Sequence, residues 1–546
     1  MHNQLARQRL NMNPNATGAL PDQLRMIAAL RQPRAYPFPL ATIEVVETHI
    51  SWVLLAGDHA YKIKKAVGLD FLDYCTLEDR CFFCREELRL NRRTAPDLYL
   101  DVVPITGPAE HARIDGNGPI IDYAVHMRRF DERSVLSRVL DGEPPPQLGQ
   151  RLADAVARFH LALPALPESD LNGRPEDVQQ ACDQVCARLA ALILDAGRLG
   201  MVRRLQQWAD REARRLGPTL TARRNDGHVR ECHGDLHCGN VLLRDGDVVP
   251  FDGIEFSASL RSIDVIDDLA FLLMDLQARG HPQIAQDCLN RYLELTRDFD
   301  GLKPLRFYLV YRALVRAMVE IMQAAARASA ELPPAAMRYL DCGLRLTNAS
   351  RSAIVLTRGL SGVGKSSLSQ KLCAHIGAIR LRADVIRAQL FGSGGTRSPD
   401  KYSEAASDAT YEALARLSAQ VVGAGWPVVV DATFLKRRQR TRFELLAEAL
   451  GVPLAIVDFQ APHELMRQRI SARAAAGGDP SEADLAVLDL QIAGAEPLAI
   501  DEPGLVIRYD ASRPLAVADS VEAWQPLPDL LRRGANGRDH ARSQSS

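Results

Sequence analysis

HGDLHCGNVLL, residues 233 to 243, decides how the first half of this chain is read. His233, Asp235 and Asn240 stand in the spacing H-x-D-x-x-x-x-N. A phosphoryl-transfer site uses that spacing to set one carboxylate beside an acceptor hydroxyl and one carboxamide oxygen beside magnesium. A second aspartate should follow on a hairpin. VVPFDGIEF supplies it as Asp252, at the end of an apolar run.

Working upstream, the same chemistry needs a lysine on an apolar strand to hold the α- and β-phosphates of ATP, positioned by a helical glutamate. AYKIKKAV offers Lys62, which strand alternation points away from Ile63; Lys64 shares its face and is the rival. CREELRLNRR offers Glu87, with Glu86 as competitor. Met127, in AVHMRRF, is expected at a hinge that hydrogen-bonds adenine through its backbone. No G-x-G-x-x-G precedes Lys62. ETHISWVLLAGD occupies that place, so phosphate cover falls to Ser51 or to backbone groups.

A second constellation begins at Gly359. GLSGVGKSS fits G-x-x-x-x-G-K-[ST] as Gly359, Gly364, Lys365 and Ser366, between the buried-type strand AIVLTRG and a helix. Amides from Ser361, Gly362, Val363 and Gly364 through Ser367 would cradle phosphates at the positive end of the helix dipole. Lys365 reaches the β- and γ-phosphates, and Ser366 ligates Mg²⁺. WPVVVDAT adds Asp431 at a strand end as the second magnesium carboxylate. About 20 residues past the loop stand Asp384, a base for an incoming hydroxyl, and Arg387, one helical turn on, for an anionic group. Arg440, Arg467, Arg469 and Arg473 are the candidates for a clamp on the transferring phosphoryl group.

Two resemblances follow from these residues. The order of glycine loop, Asp384-x-x-Arg387, DATF at 431 to 434, Arg440, and R-x-R with DPSEAD resembles the polynucleotide-kinase-like P-loop kinases, often labelled AAA-family ATPases, over about 352 to 500. It implies phosphoryl transfer to a hydroxyl with Asp384 as base. Residues 40 to 345 resemble the aminoglycoside phosphotransferase and choline-kinase-like family, including members fused to a P-loop kinase. There IDVIDDLAFLLMDL, with Asp264 and Asp268, is expected to brace the catalytic loop. The fold implied is an α+β protein-kinase-like domain, a small sheet lobe plus a helical lobe, followed by an α/β P-loop domain with a parallel sheet.

The periodicities agree with that order. Strand-like alternation in ISWVLLAG and AYKIKKAV surrounds the turn Gly57-Asp58, helices dominate from 134 to 345, and strands alternate with helices from 352 to about 500. The expected organisation is an arm over 1–24, a kinase-like domain over 25–348 with its first lobe ending near 130, a P-loop domain over 352–530 and a tail over 534–546. No internal repeat is present, so the halves are different folds. Of 546 residues, 67 are basic and 68 acidic, which gives no general attraction for nucleic acid or membrane surfaces. No apolar run approaches the roughly 18 residues of a membrane span, and ten scattered cysteines suit reduced thiols, so the cytoplasm is the expected location.

The expected activity is a two-headed ATP- and Mg²⁺-dependent phosphotransferase acting on hydroxyl-bearing small molecules. Its oligomeric state is left open. The alternatives are a first half that is a ligand-sensing pseudokinase regulating the P-loop half, and a P-loop half that phosphorylates nucleic-acid 5′-hydroxyls, with a basic groove of arginines as its carrier.

Overall fold

The computed structural model describes residues 19–69, 72–193, 195–326, 332–348, 352–392, 403–476, 484–499, 501–502 and 504–533. The predicted tail and most of the predicted arm lie outside these residues. The chain divides into two compact units, Met1–Gly280 with Phe307–Leu344, and His281–Arg306 with Arg345–Ser546.

In the first unit the alternating stretches form an antiparallel meander, β1 (Ile43–Glu47), β2 (Ser51–Ala56) and β3 (His59–Lys64). A short pair follows, β4 (Gly68–Leu69) with β5 (Leu72–Asp73). β6 (Tyr99–Thr106), β7 (Arg113–Ile114) and β8 (Ile120–Arg128) complete a six-stranded sheet of order β1-β2-β3-β8-β6-β7. Lys62 therefore sits on an inner strand, opposite Val53 on one side and Val125 on the other.

Both faces of that sheet are covered, because alternate residues are apolar on each side. Met26, Ile27 and Leu30 of helix α1 (Ala19–Leu30) pack with Trp52, Leu54, Tyr61 and Ile63. Residues 19–24, read from sequence as the end of a loose arm, begin this helix instead. Gln23 anchors it: its Nε2 donates to Lys64 O at 3.0 Å and Asp122 Oδ2 at 2.7 Å, and its Oε1 accepts from Ala66 N at 2.7 Å. Helix α2 (Leu77–Asn91), capped by the Thr76 side chain, covers the opposite face with Cys84 against Ala60, Val125 and Met127.

The second lobe is helical around a catalytic segment. β9 (Val229–Glu231) pairs with β12 (Ser262–Asp264), and β10 (Val241–Arg244) makes a hairpin with β11 (Asp247–Pro250). Helix α3 (Leu148–Ala162) supplies His160 from below. Helix α4 (Val265–Ala278) is apolar on nearly every side and almost wholly buried. α5 (Pro282–Thr296) and α6 (Leu302–Ala326) follow.

The second unit is a parallel five-stranded sheet, β13 (Ile354–Arg358), β14 (Ile379–Arg382), β15 (Val428–Asp431), β16 (Leu454–Gln460) and β17 (Leu505–Asp510), in the order β14-β15-β13-β16-β17. Its helices include α7 (Lys365–Ile376), α8 (Ala383–Phe391), α9 (Arg437–Leu450), α10 (His463–Ala476) and α11 (Leu485–Gly494). α5, which the sequence placed in the preceding helical lobe, belongs to this unit. β14 is an edge strand with open ladder groups, and α5 satisfies them: Gln286 Nε2 and Asn290 Nδ2 donate to Ala378 O at 2.8 and 3.2 Å. Asn290 Oδ1 accepts from Arg380 N at 2.8 Å.

Candidate functional site

The opening motif forms a loop held from beneath by one carboxylate. Asp268 of α4 accepts from the amides of His233 at 3.1 Å and Gly234 at 2.9 Å, and from His160 Nε2 at 3.1 Å. This is the brace expected of it. Asp264 instead pairs with Arg223 at 2.6 and 2.8 Å and caps α4. His160, Cys232 and Asp268 converge closely enough to suggest a metal centre. Their chemistry does not fit one, since hydrogen bonds occupy Asp268 and burial pushes the Cys232 thiol far up, keeping it protonated.

Asp235 is half-exposed at the loop's tip. Burial opposes its charge, but His237, Arg316 and His233 outweigh it and hold the carboxyl well below the usual carboxylate range. Asn240 Nδ2 donates to Asp235 O and Oδ2, both at 3.0 Å. With its amide nitrogen committed, Asn240 presents Oδ1 as the atom for a metal. Asp252 follows β11 with φ +61°, a left-handed conformation that is costly for a non-glycine residue and recurs where a site demands it. Tyr99 Oη accepts from its amide at 3.1 Å, and Asn91 Oδ1 accepts from Gly253 N at 2.8 Å. Asn240 Oδ1 and the Asp252 carboxylate are hard oxygen donors that suit Mg²⁺.

Lys62 and Lys64 are partners, not rivals. Lys62 Nζ lies 2.8 Å from Glu87 Oε1 and 2.5 Å from Asp252 Oδ1, while Lys64 Nζ lies 2.7 Å from Glu87 Oε2 and also binds Glu255. Tyr74 donates to Glu255. Burial opposes ionisation of Glu87, yet the two ammonium groups hold its carboxyl down to about 2. Glu86 faces Arg89 and Arg261 instead. Glu255, Asn91 and Tyr99 escaped the sequence reading. Glu255 was visible three residues past Asp252, and Asn91 one turn past Glu87 on the same helix face.

Two expectations for this site change. Met127 lies inside β8, paired with Ala60 and Tyr99, and its side chain joins the core with Leu242. The strand continues through Arg128, so the chain leaves the sheet only after that residue. Ser51 is 1% exposed and faces inward beside Lys64, so its hydroxyl does not face a phosphate. The Thr48–Ser51 turn is instead fixed by Lys65, whose Nζ donates to Thr48 O at 2.6 Å.

In the second unit the glycine loop joins β13 to α7. Gly362 has φ +80°, and a Cβ there would fall 2.6 Å from Met466 O, so no larger residue fits. Lys365 Nζ donates to Gly359 O and Leu360 O at 3.0 and 2.9 Å, and Ser361 N donates to Gln491 Oε1 of α11 at 2.8 Å. Ser366 and Ser367 are exposed at the start of α7. Ser369 Oγ and Arg380 Nη2 both bind Asp431 Oδ2, at 2.8 and 2.9 Å. Burial disfavours the Asp431 charge, but Arg380 and the Ser369 bond keep its carboxyl low. Asp384, at the start of α8, is pushed up by burial and by Asp431, with Arg387 3.6 Å away. A carboxyl with a raised pKa is suited to take a proton. Ser366 and Asp431 supply oxygen donors suited to Mg²⁺.

The arginine clamp does not assemble as expected. Arg440 is 1% exposed; it pairs with Glu502 through Nε at 3.0 Å and Nη2 at 2.5 Å and donates to Phe434 O at 3.0 Å. It holds the structure together, buried with its partner Glu502. Arg469 donates to Val363 O and Ala511 O at 2.8 and 3.0 Å, supporting the loop from behind. Arg467 pairs with Asp489 at the surface. The Arg473 side chain lies outside the described residues. No helix among the described residues is long and apolar enough to cross a membrane.

Comparison with known proteins finds two family models that match parts of the chain. A model of the phosphotransferase enzyme family matches residues 84–308, and an AAA domain matches residues 354–498. The chain is 30% identical over 446 residues to the uncharacterized protein Rv2004c of Mycobacterium tuberculosis, covering 80% of this chain and 87% of that relative. Protein Mb2027c of Mycobacterium bovis matches equally. Among solved structures, a choline/ethanolamine kinase family protein from Mesorhizobium loti is 16% identical over 60% of this chain and 95% of its own, with TM-score 0.38. A gluconokinase from Sinorhizobium meliloti is 20% identical over 36% of this chain and all of its own, with TM-score 0.24.

Proposed function

The chain belongs to the family of its mycobacterial relatives, with a phosphotransferase-family domain preceding an AAA domain, and we propose that this ATP-dependent kinase carries two working phosphotransferase sites, each passing the γ-phosphoryl group of ATP to a hydroxyl of a small molecule. One observation carries the reading for the first site: Lys62 reaches both Glu87 and Asp252. This links phosphate anchor, positioning glutamate and metal aspartate in a single line. A module that merely bound a ligand would have no need of an acceptor-side carboxylate such as Asp235 as well.

At the first site Lys62 holds phosphate oxygens, and Asp235 takes the proton of the acceptor hydroxyl as its oxygen attacks phosphorus. Asn240 and Asp252 would hold Mg²⁺, which neutralises phosphate charge. At the second, Lys365 and the loop amides hold phosphate, Asp384 takes the acceptor proton, and Ser366 and Asp431 would hold the metal. The deciding experiment follows γ-labelled ATP through a metabolite pool with wild-type, Asp235→Ala and Lys365→Ala proteins. Each variant should lose a different labelled product; identical products from all three would end this reading.

One observation favours the sensor reading of the first unit. The Thr48–Ser51 turn lacks glycine and is tied to Lys65, so it cannot wrap a triphosphate as a glycine-rich loop does. Absence of Mg²⁺-dependent ATP binding in the Lys365→Ala chain would support that alternative.

A further inference from the structure

Arg380 of β14 and Ser369 of α7 both direct their side chains at the Asp431 carboxylate, and both reach the same oxygen. Arg380 Nε and Nη2 donate to Oδ2 at 3.2 and 2.9 Å. Ser369 Oγ lies 2.8 Å from it. A carboxylate only accepts, so the hydroxyl is the donor. Arginine commonly meets a carboxylate fork to fork, one nitrogen on each oxygen. Here three hydrogen bonds converge on Oδ2, and none of the three ends on Oδ1.

Strand alternation puts Arg380 on the opposite face of β14 from the buried Ile379 and Leu381. β15 runs beside it in parallel, with Val429 opposite Arg380 and Asp431 opposite Arg382, so the guanidinium reaches two residues along the sheet. Asn290 Oδ1 fixes where that reach begins by accepting from Arg380 N at 2.8 Å. Both members of the pair are largely buried. A buried ion pair adds little stability over a well-packed apolar pair, so what this one supplies is direction. Ser369 adds a link to the phosphate loop. It stands one helical turn past Ser366, and its Oγ is also 3.2 Å from Ser366 O.

Resting on the phosphotransferase reading of the second site, we infer that Arg380 and Ser369 are positioning residues for Asp431. By holding Oδ2 from two separate elements they stop the carboxylate from rotating and reserve Oδ1 for Mg²⁺. The device acts only where the metal joins. Its loss weakens the magnesium-dependent part of nucleotide binding and leaves the contribution of Lys365 and the loop amides intact.

The test uses the full chain carrying Lys62→Met, which removes nucleotide from the first site, and follows equilibrium binding of a non-hydrolysable ATP analogue as Mg²⁺ is added. Arg380→Lys keeps the charge but not the two-nitrogen grip. Arg380→Lys and Ser369→Ala should each raise the Mg²⁺ concentration for half-maximal enhancement of binding by about tenfold, as loss of an orienting partner does. Affinity for the analogue without Mg²⁺ should stay at the parent's value. An unchanged Mg²⁺ requirement in either variant would overturn the inference. So would a loss of metal-free binding in step with a falling melting temperature, because the pair would then merely hold the sheet together. Asp431→Asn separates the inference from the site reading. If Asp431→Asn raises the Mg²⁺ requirement while the other two variants do not, the inference alone falls. If Asp431→Asn leaves the requirement unchanged, or the parent binds no analogue, the reading of the second site fails, and this inference with it.

Discussion

Lys62 and Lys64, two residues apart on β3, each hold a different oxygen of Glu87, at 2.8 and 2.7 Å. Their roles differ by what lies on the far side. Lys62 faces Asp252 and the phosphate site, whereas Lys64 is fully buried against Glu255. Lys64→Met leaves two buried carboxylates with one cation fewer, at a cost of about 3–5 kcal/mol. Lys62→Met should lose ATP turnover with the smaller fall in melting temperature. Calorimetric melts of the two variants, with Lys64→Met/Glu255→Gln recovering part of the loss, check the assignment.

Acid should release the same network. Glu87 is held near 2, below its ordinary value of 4.5. A depressed carboxyl contributes stability above its unfolded value and loses it as pH falls toward the folded one, here from about 4.5 down to 2. The shift corresponds to about 3 kcal/mol. Denaturant titrations between pH 6 and 3 should show a shallower decline in Glu87→Gln than in wild type. Parallel declines would count against a charged Glu87.

Helix α5 is expected to support the P-loop sheet. Asn290→Ala removes the acceptor for the Arg380 amide and one donor to Ala378 O, at a cost of about 1–3 kcal/mol for buried groups left unpaired. Hydrogen exchange at Arg380 should quicken accordingly. Protection unchanged from wild type would mean α5 is not needed there.

Arg440 and Arg467 separate structure from surface. Arg440→Ala strands buried Glu502 and should lower the melting temperature of the P-loop unit strongly, by about 3–5 kcal/mol of stability. Arg467→Ala removes an exposed pair worth at most about 1 kcal/mol and should leave the melt nearly unchanged.

These cases show which parts of the site were readable from sequence. Asp235, Asn240 and Asp252 come from short contiguous segments whose spacing is set by the loop they form, and the glycine loop likewise declares itself. Lys62 was found because strand alternation gives its direction. Glu255 was hidden because its partner Lys64 lies 191 residues away, and its value appears only once β3 and the metal loop meet. Arg440 misled because a basic helix face does not reveal a buried glutamate 62 residues downstream. α5 was assigned to the wrong neighbour for a related reason: an amphipathic helix shows that it covers something, not which sheet it covers.

The claim that both sites bind nucleotide for transfer is met most directly by counting. Equilibrium binding of Mg²⁺ and a non-hydrolysable ATP analogue should give two molecules per wild-type chain, one in Lys365→Ala, and one in Lys62→Met. One molecule in wild type and none in Lys365→Ala would contradict a second nucleotide site in the first unit.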